Sequence, residues 1–347
     1  MTTSPNPYTI TFGKEPRSLI PRTLQASTVL DEFRQDEPSN QVYVVVGPRG
    51  SGKTVFMTNV AGRLAHENDW VTVELNPERD LLEGLVSKLN SERRLAGYFR
   101  DAKINLSFLG FGVQIEGAQP IVDIETAVTK MLQSLQRHGK RLLITIDEVT
   151  STPAMKEFAS AFQIFLRQNL PIYLLMTGLY ENVNDLQNEK SLTFLYRAPK
   201  IELKPLNLGT IARNYQRTLD VSSDLSLEMA RLTRGYSFAF QVLGYLMWGQ
   251  KELTEHVMDS YRQYLDDYVY DKIWSELSAG DRRLAVGIAK SQTGKVSDVR
   301  DILGMETNQF NPYRRRLIRK GVINGEERGY VRFALPCFED YALEHEE

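Results

Sequence analysis

Short, nearly unbroken apolar runs recur along the N-terminal half of the chain. Gln41–Val46 (QVYVVV), Val71–Leu75 (VTVEL), Arg141–Ile146 (RLLITI), Ile172–Met176 (IYLLM) and Lys200–Leu203 read as strands covered on both faces. Between them lie stretches whose apolar residues return every three or four positions, at Val55–Asn68, Ile124–Arg137 and Ala154–Gln168. This alternation predicts an α/β fold, a parallel sheet sandwiched between helices, with the ligand site at the C-terminal ends of the strands. One segment departs from it. Lys103–Gly117 alternates apolar and polar residues around Gly110 and Gly112, the pattern of a β-hairpin. Its apolar face either packs on the sheet or is offered to a partner.

Beyond Pro205 the pattern becomes helical. Gly235–Gln250 carries no charge, yet falls short of the roughly 20 apolar residues a membrane span requires. It reads as a buried helix. From Ser278 onward, Asp281–Lys290 forms a helix with Leu284, Ile288 and either Ala285 or Val286 inward. Ser297–Leu303 is a shorter helix, capped by Ser297 and ended by Gly304. A turn at Met305–Gln309 leads to a third helix that stops at Gly321. That helix either starts with Pro312 behind an Asn311 cap, or starts nearer Thr307 and is kinked by Pro312. Val322–Ile323, the turn Asn324–Gly325 and Tyr330–Leu335 follow as a β-wing. Three helices and a wing predict a winged helix-turn-helix. The expected parts are therefore residues 1–204, an α/β core; 205–275, a helical segment; and 276–347, the winged helix.

The length of 347 residues agrees with two or three domains at about 150 residues each. Forty-two basic and 44 acidic residues leave a net charge of −2, and 42% of residues are hydrophobic. That composition excludes a largely disordered chain and one that coats nucleic acid through bulk positive charge. A single cysteine, Cys337, excludes a disulfide framework and a Cys-based zinc site within one chain. His66, His138, His256 and His345 are too dispersed for a local metal motif. The N-terminus is polar, without a basic start leading into an apolar core. A reduced, cytoplasmic protein without a membrane partner is expected.

The chemistry begins where the first strand ends. Gly47-Pro48-Arg49-Gly50-Ser51-Gly52-Lys53-Thr54 matches G-x-x-x-x-G-K-[ST], between a strand and a helix. The glycines let backbone N–H groups turn inward around phosphate oxygens, and the helix N-terminus adds its positive end. Lys53 would reach the β and γ phosphates, and the Thr54 hydroxyl would ligate Mg²⁺. A chance glycine turn is the alternative, and the strand–loop–helix order argues against it. The third strand run ends in Asp147-Glu148. Taken alone these acids fit a helix start or a solvated turn equally well. Beside a phosphate loop, Asp147 suits the Mg²⁺ shell and Glu148 the orientation of an attacking water. ATP or ADP and Mg²⁺ are the expected cofactors.

GPRGSGKT, then LLITIDE, then LLMTGL, then a strand running into LKPL together resemble the AAA+ superfamily of P-loop ATPases. Within it the chain resembles the archaeal and bacterial ATPases lying between the replication-initiator clade and the signal-transducing (STAND) nucleotidases. The resemblance runs from about Asn6 to Tyr341. It implies that Thr177 is sensor 1, that Pro205–Gln250 forms a lid over the nucleotide, and that Tyr8–Arg22 contacts adenine, with Arg22 as its basic residue. It also places Arg197 where such ATPases carry an arginine finger acting in trans, which implies self-association. A surface ion pair is the other reading of Arg197. The segment Gly235–Ala239 departs from the family, having neither a sensor 2 arginine nor the proline of the signalling group's GxP motif. Arg231 and Arg234 are out of place for that role, and Tyr236 and Phe238 read as core. Slow turnover is expected, a switch rather than a motor.

The near-neutral total conceals a segregation. Asp281–Arg332 holds twelve Lys/Arg against six Asp/Glu, whereas 259–276 and 339–347 are rich in acids. Arg314, Arg315, Arg316, Arg319 and Lys320 crowd the third helix, with Asn308, Gln309 and Asn311 near its start as candidate base contacts. Arg328 and Arg332 lie on the wing, suited to phosphates. Three functions fit: an ATPase that couples nucleotide state to double-stranded DNA, a signalling or defence switch whose winged helix docks on a protein partner and controls oligomerisation, and a helper ATPase for DNA mobilisation.

Overall fold

The computed structural model describes residues 5–11, 16–102, 104, 123–189, 192–325 and 327–346. Apart from Ile104, the hairpin expected over 103–117 lies outside them. Two compact units are present: Arg22–Val46 with Lys53–Glu202, and Met1–Pro21 with Gly47–Gly52 and Leu203–Glu347.

In the first unit, β1 (Val42–Val46), β2 (Trp70–Leu75), β3 (Arg141–Ile146), β4 (Ile172–Gly178) and β5 (Lys200–Glu202) form one parallel sheet, ordered β2-β3-β4-β1-β5. The central strands are buried along their length because helices cover both faces, which is why their sequences need no polar side. The covering helices include Lys53–Ala65, Leu81–Ser91, Ile124–Arg137 and Pro153–Arg167. Their starts follow local chemistry. Asp80, Asp123 and Thr152 each accept a hydrogen bond from the backbone N–H three residues on, and Pro153 opens the fourth helix. Phe158, Phe162 and Phe165 project from that helix into a core shared with Leu142, Ile144 and Leu174.

The second unit is mainly helical. Leu208–Leu219, Ser223–Leu232 and Ser237–Leu246 are followed by Glu255–Leu265, a π-turn at Asp266–Tyr270 and Asp271–Ser275. Ser237–Leu246 is the buried helix expected from its lack of charge, with Phe238, Ala239, Phe240, Val242 and Leu243 all inside. Gly244 is required there, because the ring of Tyr8 occupies the space a Cβ would fill, 2.5 Å from its Cδ1. Among the described residues no helix is long and apolar enough to cross a membrane.

The C-terminal part contributes helices Ala279–Lys290, Val296–Leu303 and Thr307–Arg319, the antiparallel pair β6 (Ile323–Asn324) and β7 (Arg332–Phe333), and a last helix, Phe338–Glu344. One local expectation is corrected, and one of two alternatives is met. Ser297 is not a cap: the helix starts at Val296, whose N–H bonds the Gly329 carbonyl, and the Ser297 hydroxyl donates to Asp298. Nor does Asn311 cap the third helix. Glu306 and Gln309 form a reciprocal capping box, the helix begins at Thr307, and Pro312 lies inside it. Arg234 joins these parts through its guanidinium, which donates to the Phe333 and Leu335 carbonyls and pairs with Glu339 at 2.7 Å.

Candidate functional site

The parallel strands deliver their C-terminal ends to one edge of the sheet, and the first unit gathers its polar chemistry there. Asp147 follows β3. The Thr54 hydroxyl, in the first turn of its helix, donates to Asp147 Oδ2 at 2.7 Å. The Thr177 hydroxyl, at the end of β4 and fully buried, donates to Oδ1. The Glu148 N–H reaches Asp147 Oδ1 at 3.1 Å and Thr177 Oγ1 at 3.2 Å, and the Val149 N–H bonds the Thr177 carbonyl. Asp147 is thus fixed through both oxygens. Glu148 has φ +53, a left-handed conformation uncommon for a residue with a long side chain, and its side chain is exposed. Lys53 opens its helix and is only 7% exposed.

A hydroxyl and a single carboxylate are hard oxygen donors. No group of three or more His, Cys, Asp or Glu among the described residues could hold a metal ion. This donor set fits Mg²⁺, which retains waters and shares phosphate oxygens rather than occupying an all-protein cage.

The loop Gly47–Gly52 packs within the second unit. Gly50 (φ +68) and Gly52 (φ +90) take left-handed conformations that side chains disfavour. A Cβ on Gly50 would also lie 2.2 Å from the Tyr236 hydroxyl. Three consecutive carbonyls of the loop accept hydrogen bonds from three consecutive residues: Arg49 from the Tyr236 hydroxyl at 2.6 Å, Gly50 from the Phe238 N–H at 3.0 Å, and Ser51 from the Ser237 hydroxyl at 3.0 Å. The Arg49 guanidinium donates to Glu276, at 2.6 and 3.3 Å. Burial opposes the charge on Glu276, yet Arg49 and Lys272 hold its carboxyl below the ordinary value. Pro48 packs against Gly321, whose Cβ would lie 2.7 Å from that of the proline.

Two further expected residues are Arg22 and Arg197. Arg22 immediately precedes helix Thr23–Phe33, and burial pushes its guanidinium down to about 10, so it stays protonated at neutral pH. Arg197 is exposed beside Tyr196, which is 71% exposed, and forms no ion pair with another described residue. The N-terminal segment is fastened to helix Ser237–Leu246. Gln241 accepts from the Thr9 N–H and donates to the Ser18 carbonyl, and the Tyr8 hydroxyl donates to Asn214 at 2.8 Å.

The basic residues of the third C-terminal helix divide by face. Asn308, Asn311, Arg315 and Arg319 recur at spacings of three and four and are all exposed. Gln309 is exposed but its side chain accepts from the Glu306 N–H, Arg314 is half-buried, and Arg328 is exposed beyond β6. Arg316 points inward to Asp281, at 2.9 and 3.3 Å, and lies over the Tyr313 ring. Asp281 is 2% exposed and also completes the capping box with Ser278. Arg316→Ala is therefore expected to lower stability by about 1–3 kcal/mol, discounted because the arginine itself is partly exposed. In a denaturant titration that reports this loss, Arg319→Ala should stay within about 0.5 kcal/mol of the parent.

Sequence reasoning missed Tyr236, Ser237 and Glu276 as partners of the loop. No local signal marks them, since the Tyr236 to Arg49 bond spans 187 positions.

A parallel sheet of this order, with GPRGSGKT after its first strand and an acid pair after its third, has the fold of P-loop ATPases of the AAA+ type. Residues 30–169 match the model of an ATPase domain predominantly from Archaea, and residues 267–342 match that of a domain of unknown function. Among solved structures the chain is similar to a Walker-type ATPase of Pyrococcus abyssi. The two are 15% identical, with 94% of this chain and 96% of that one covered and a TM-score of 0.65. It is also similar to the ORC2 protein of Aeropyrum pernix in ADPNP–ADP complexes, at 14% identity, 96% and 95% coverage and a TM-score of 0.60. At these identities the likeness is one of fold. No curated protein matches the chain in sequence.

Proposed function

We propose that this ATPase is a slow nucleotide switch that couples its ATP or ADP state to duplex DNA through a C-terminal winged helix. Lys53 and the backbone of Gly47–Thr54 hold the phosphates. Thr54 and Asp147 would hold Mg²⁺, which would supply positive charge against the phosphates. Glu148 orients the water that attacks the γ-phosphorus and takes its proton, so that ADP and phosphate leave. Thr177, through its bond to Asp147 and the Glu148 N–H, keeps both acids in register. Arg22 supports the nucleotide from the N-terminal segment. The nucleotide in the Aeropyrum pernix ORC2 structure supports the choice of ligand. Arg197 acts in trans in a self-associated form, supported by its exposure beside Tyr196 and its lack of an acid among the described residues.

The observation that carries the DNA reading is the exposed stripe Asn308, Asn311, Arg315 and Arg319 on the third helix, with Arg328 beyond it. Amide side chains near the start and guanidinium groups further on suit base edges and phosphates. The test is a titration of the full chain with duplex DNA across a salt series. Arg315→Ala with Arg319→Ala should weaken binding by about tenfold or more and reduce the salt slope by about two. If the unaltered chain shows no salt-dependent duplex binding, the DNA reading fails, and docking of the same helices on a protein takes its place.

A further inference from the structure

The phosphate loop is held from its outer side. A trans peptide turns its C=O and the following N–H in opposite directions. With the carbonyls of Arg49, Gly50 and Ser51 directed at Tyr236, Phe238 and Ser237, the N–H groups of Gly50, Ser51 and Gly52 face away from those residues. On that opposite side the Ser51 N–H reaches the Pro48 carbonyl at 3.3 Å. An anion entering the loop meets donors whose orientation has already been imposed.

We infer that Tyr236, with Ser237 and Phe238, positions the phosphate loop for its ligand by fixing the carbonyls of Arg49, Gly50 and Ser51 from behind. This rests on the reading of Gly47–Thr54 as the phosphate site. It assigns a use to the turn that carries neither a sensor 2 arginine nor a GxP proline: these residues act on the ligand through the loop backbone. The donors are anchored. Tyr236 and Phe238 belong to the apolar core of the second unit, and helix Ser237–Leu246 starts at the contact itself. Burial raises the Tyr236 phenol well above its ordinary value, so it remains a donor at every working pH. Gly50 has no room for a side chain against this hydroxyl, so loop and brace fit one another closely.

The test compares ADP and adenosine binding by calorimetry for the full chain, Tyr236→Phe, Ser237→Ala and Lys53→Ala. Tyr236→Phe keeps the ring in its core position and removes one donor. A positioning role predicts that ADP affinity falls about tenfold while adenosine affinity stays within about twofold, because only the phosphates use the loop. A purely structural role would weaken both ligands in proportion. Ser237→Ala, which removes a second donor, should show the same selective loss at about threefold, and decides the matter if Tyr236→Phe does not fold. Unchanged ADP affinity in the folded variants, or equal losses for ADP and adenosine, overturns the inference while leaving the site in place. If Lys53→Ala binds ADP as the parent does, the phosphate site itself is misassigned and the inference falls with it.

Discussion

Lys53→Ala is expected to reduce ATP affinity by about a hundredfold, equivalent to about 3 kcal/mol. Lys53 opens helix Lys53–Ala65, directly after Gly52 with its left-handed backbone, and is almost wholly removed from water. Charge-assisted bonds in such surroundings are roughly twice as strong as neutral ones. The helix itself should survive, since alanine is the best helix former and the covering face at Phe56, Met57, Val60 and Leu64 is unaltered. A binding isotherm beside a thermal melt separates the two effects. Near-parental ATP affinity in a folded variant removes Lys53 from the phosphate site.

Glu148→Gln should do the opposite, sparing affinity and stopping turnover. The amide has the shape of the carboxylate but cannot take a proton, and loss of a general base costs about 10²–10⁴ in rate. Thr54, Asp147 and Thr177 keep their mutual bonds, and the Glu148 N–H that joins them is backbone and survives the substitution. ATP affinity is therefore expected to stay within about threefold of the parent. Glu148 combines a left-handed backbone with an exposed side chain, which a water can reach. Steady-state phosphate release measures the loss, and undiminished turnover would show that another group orients the water.

The sheet was legible because its signal is local. A strand buried on both faces must be apolar along its length, and Arg141–Ile146 is bounded as its sequence predicts. β2 starts one residue earlier than expected, at Trp70, and β4 runs on through Thr177 and Gly178. These residues look like loop in sequence, yet pair with neighbours in register, Thr177 opposite Val45 and Gly178 opposite Val46. The phosphate loop and the acid pair were legible for a related reason, being short motifs whose chemistry is set by adjacent residues. Helix starts in the C-terminal part were less so. Glutamate is an unusual cap, and only its reciprocal bond with Gln309 shows why the third helix begins behind Glu306. The fates of the arginines are set by the fold and not by local sequence. Arg315 and Arg316 are neighbours in sequence, but one turns to solvent while the other fills the space beside Asp281. Net charge along a segment reports neither fate.

The chain passes between its two units at Pro21/Arg22, Val46/Gly47, Gly52/Lys53 and Glu202/Leu203. No single cut can therefore release either unit as a continuous piece. A chain ended at Glu202 would keep every strand of the parallel sheet and the whole of GPRGSGKT. It would nevertheless lose the donors to the carbonyls of Arg49, Gly50 and Ser51, together with the carboxylate that holds the Arg49 guanidinium. A segment that looks self-sufficient on paper is thus unfinished in space. Shuffling the C-terminal helices onto another ATPase core would likewise have to carry matching loop residues with them.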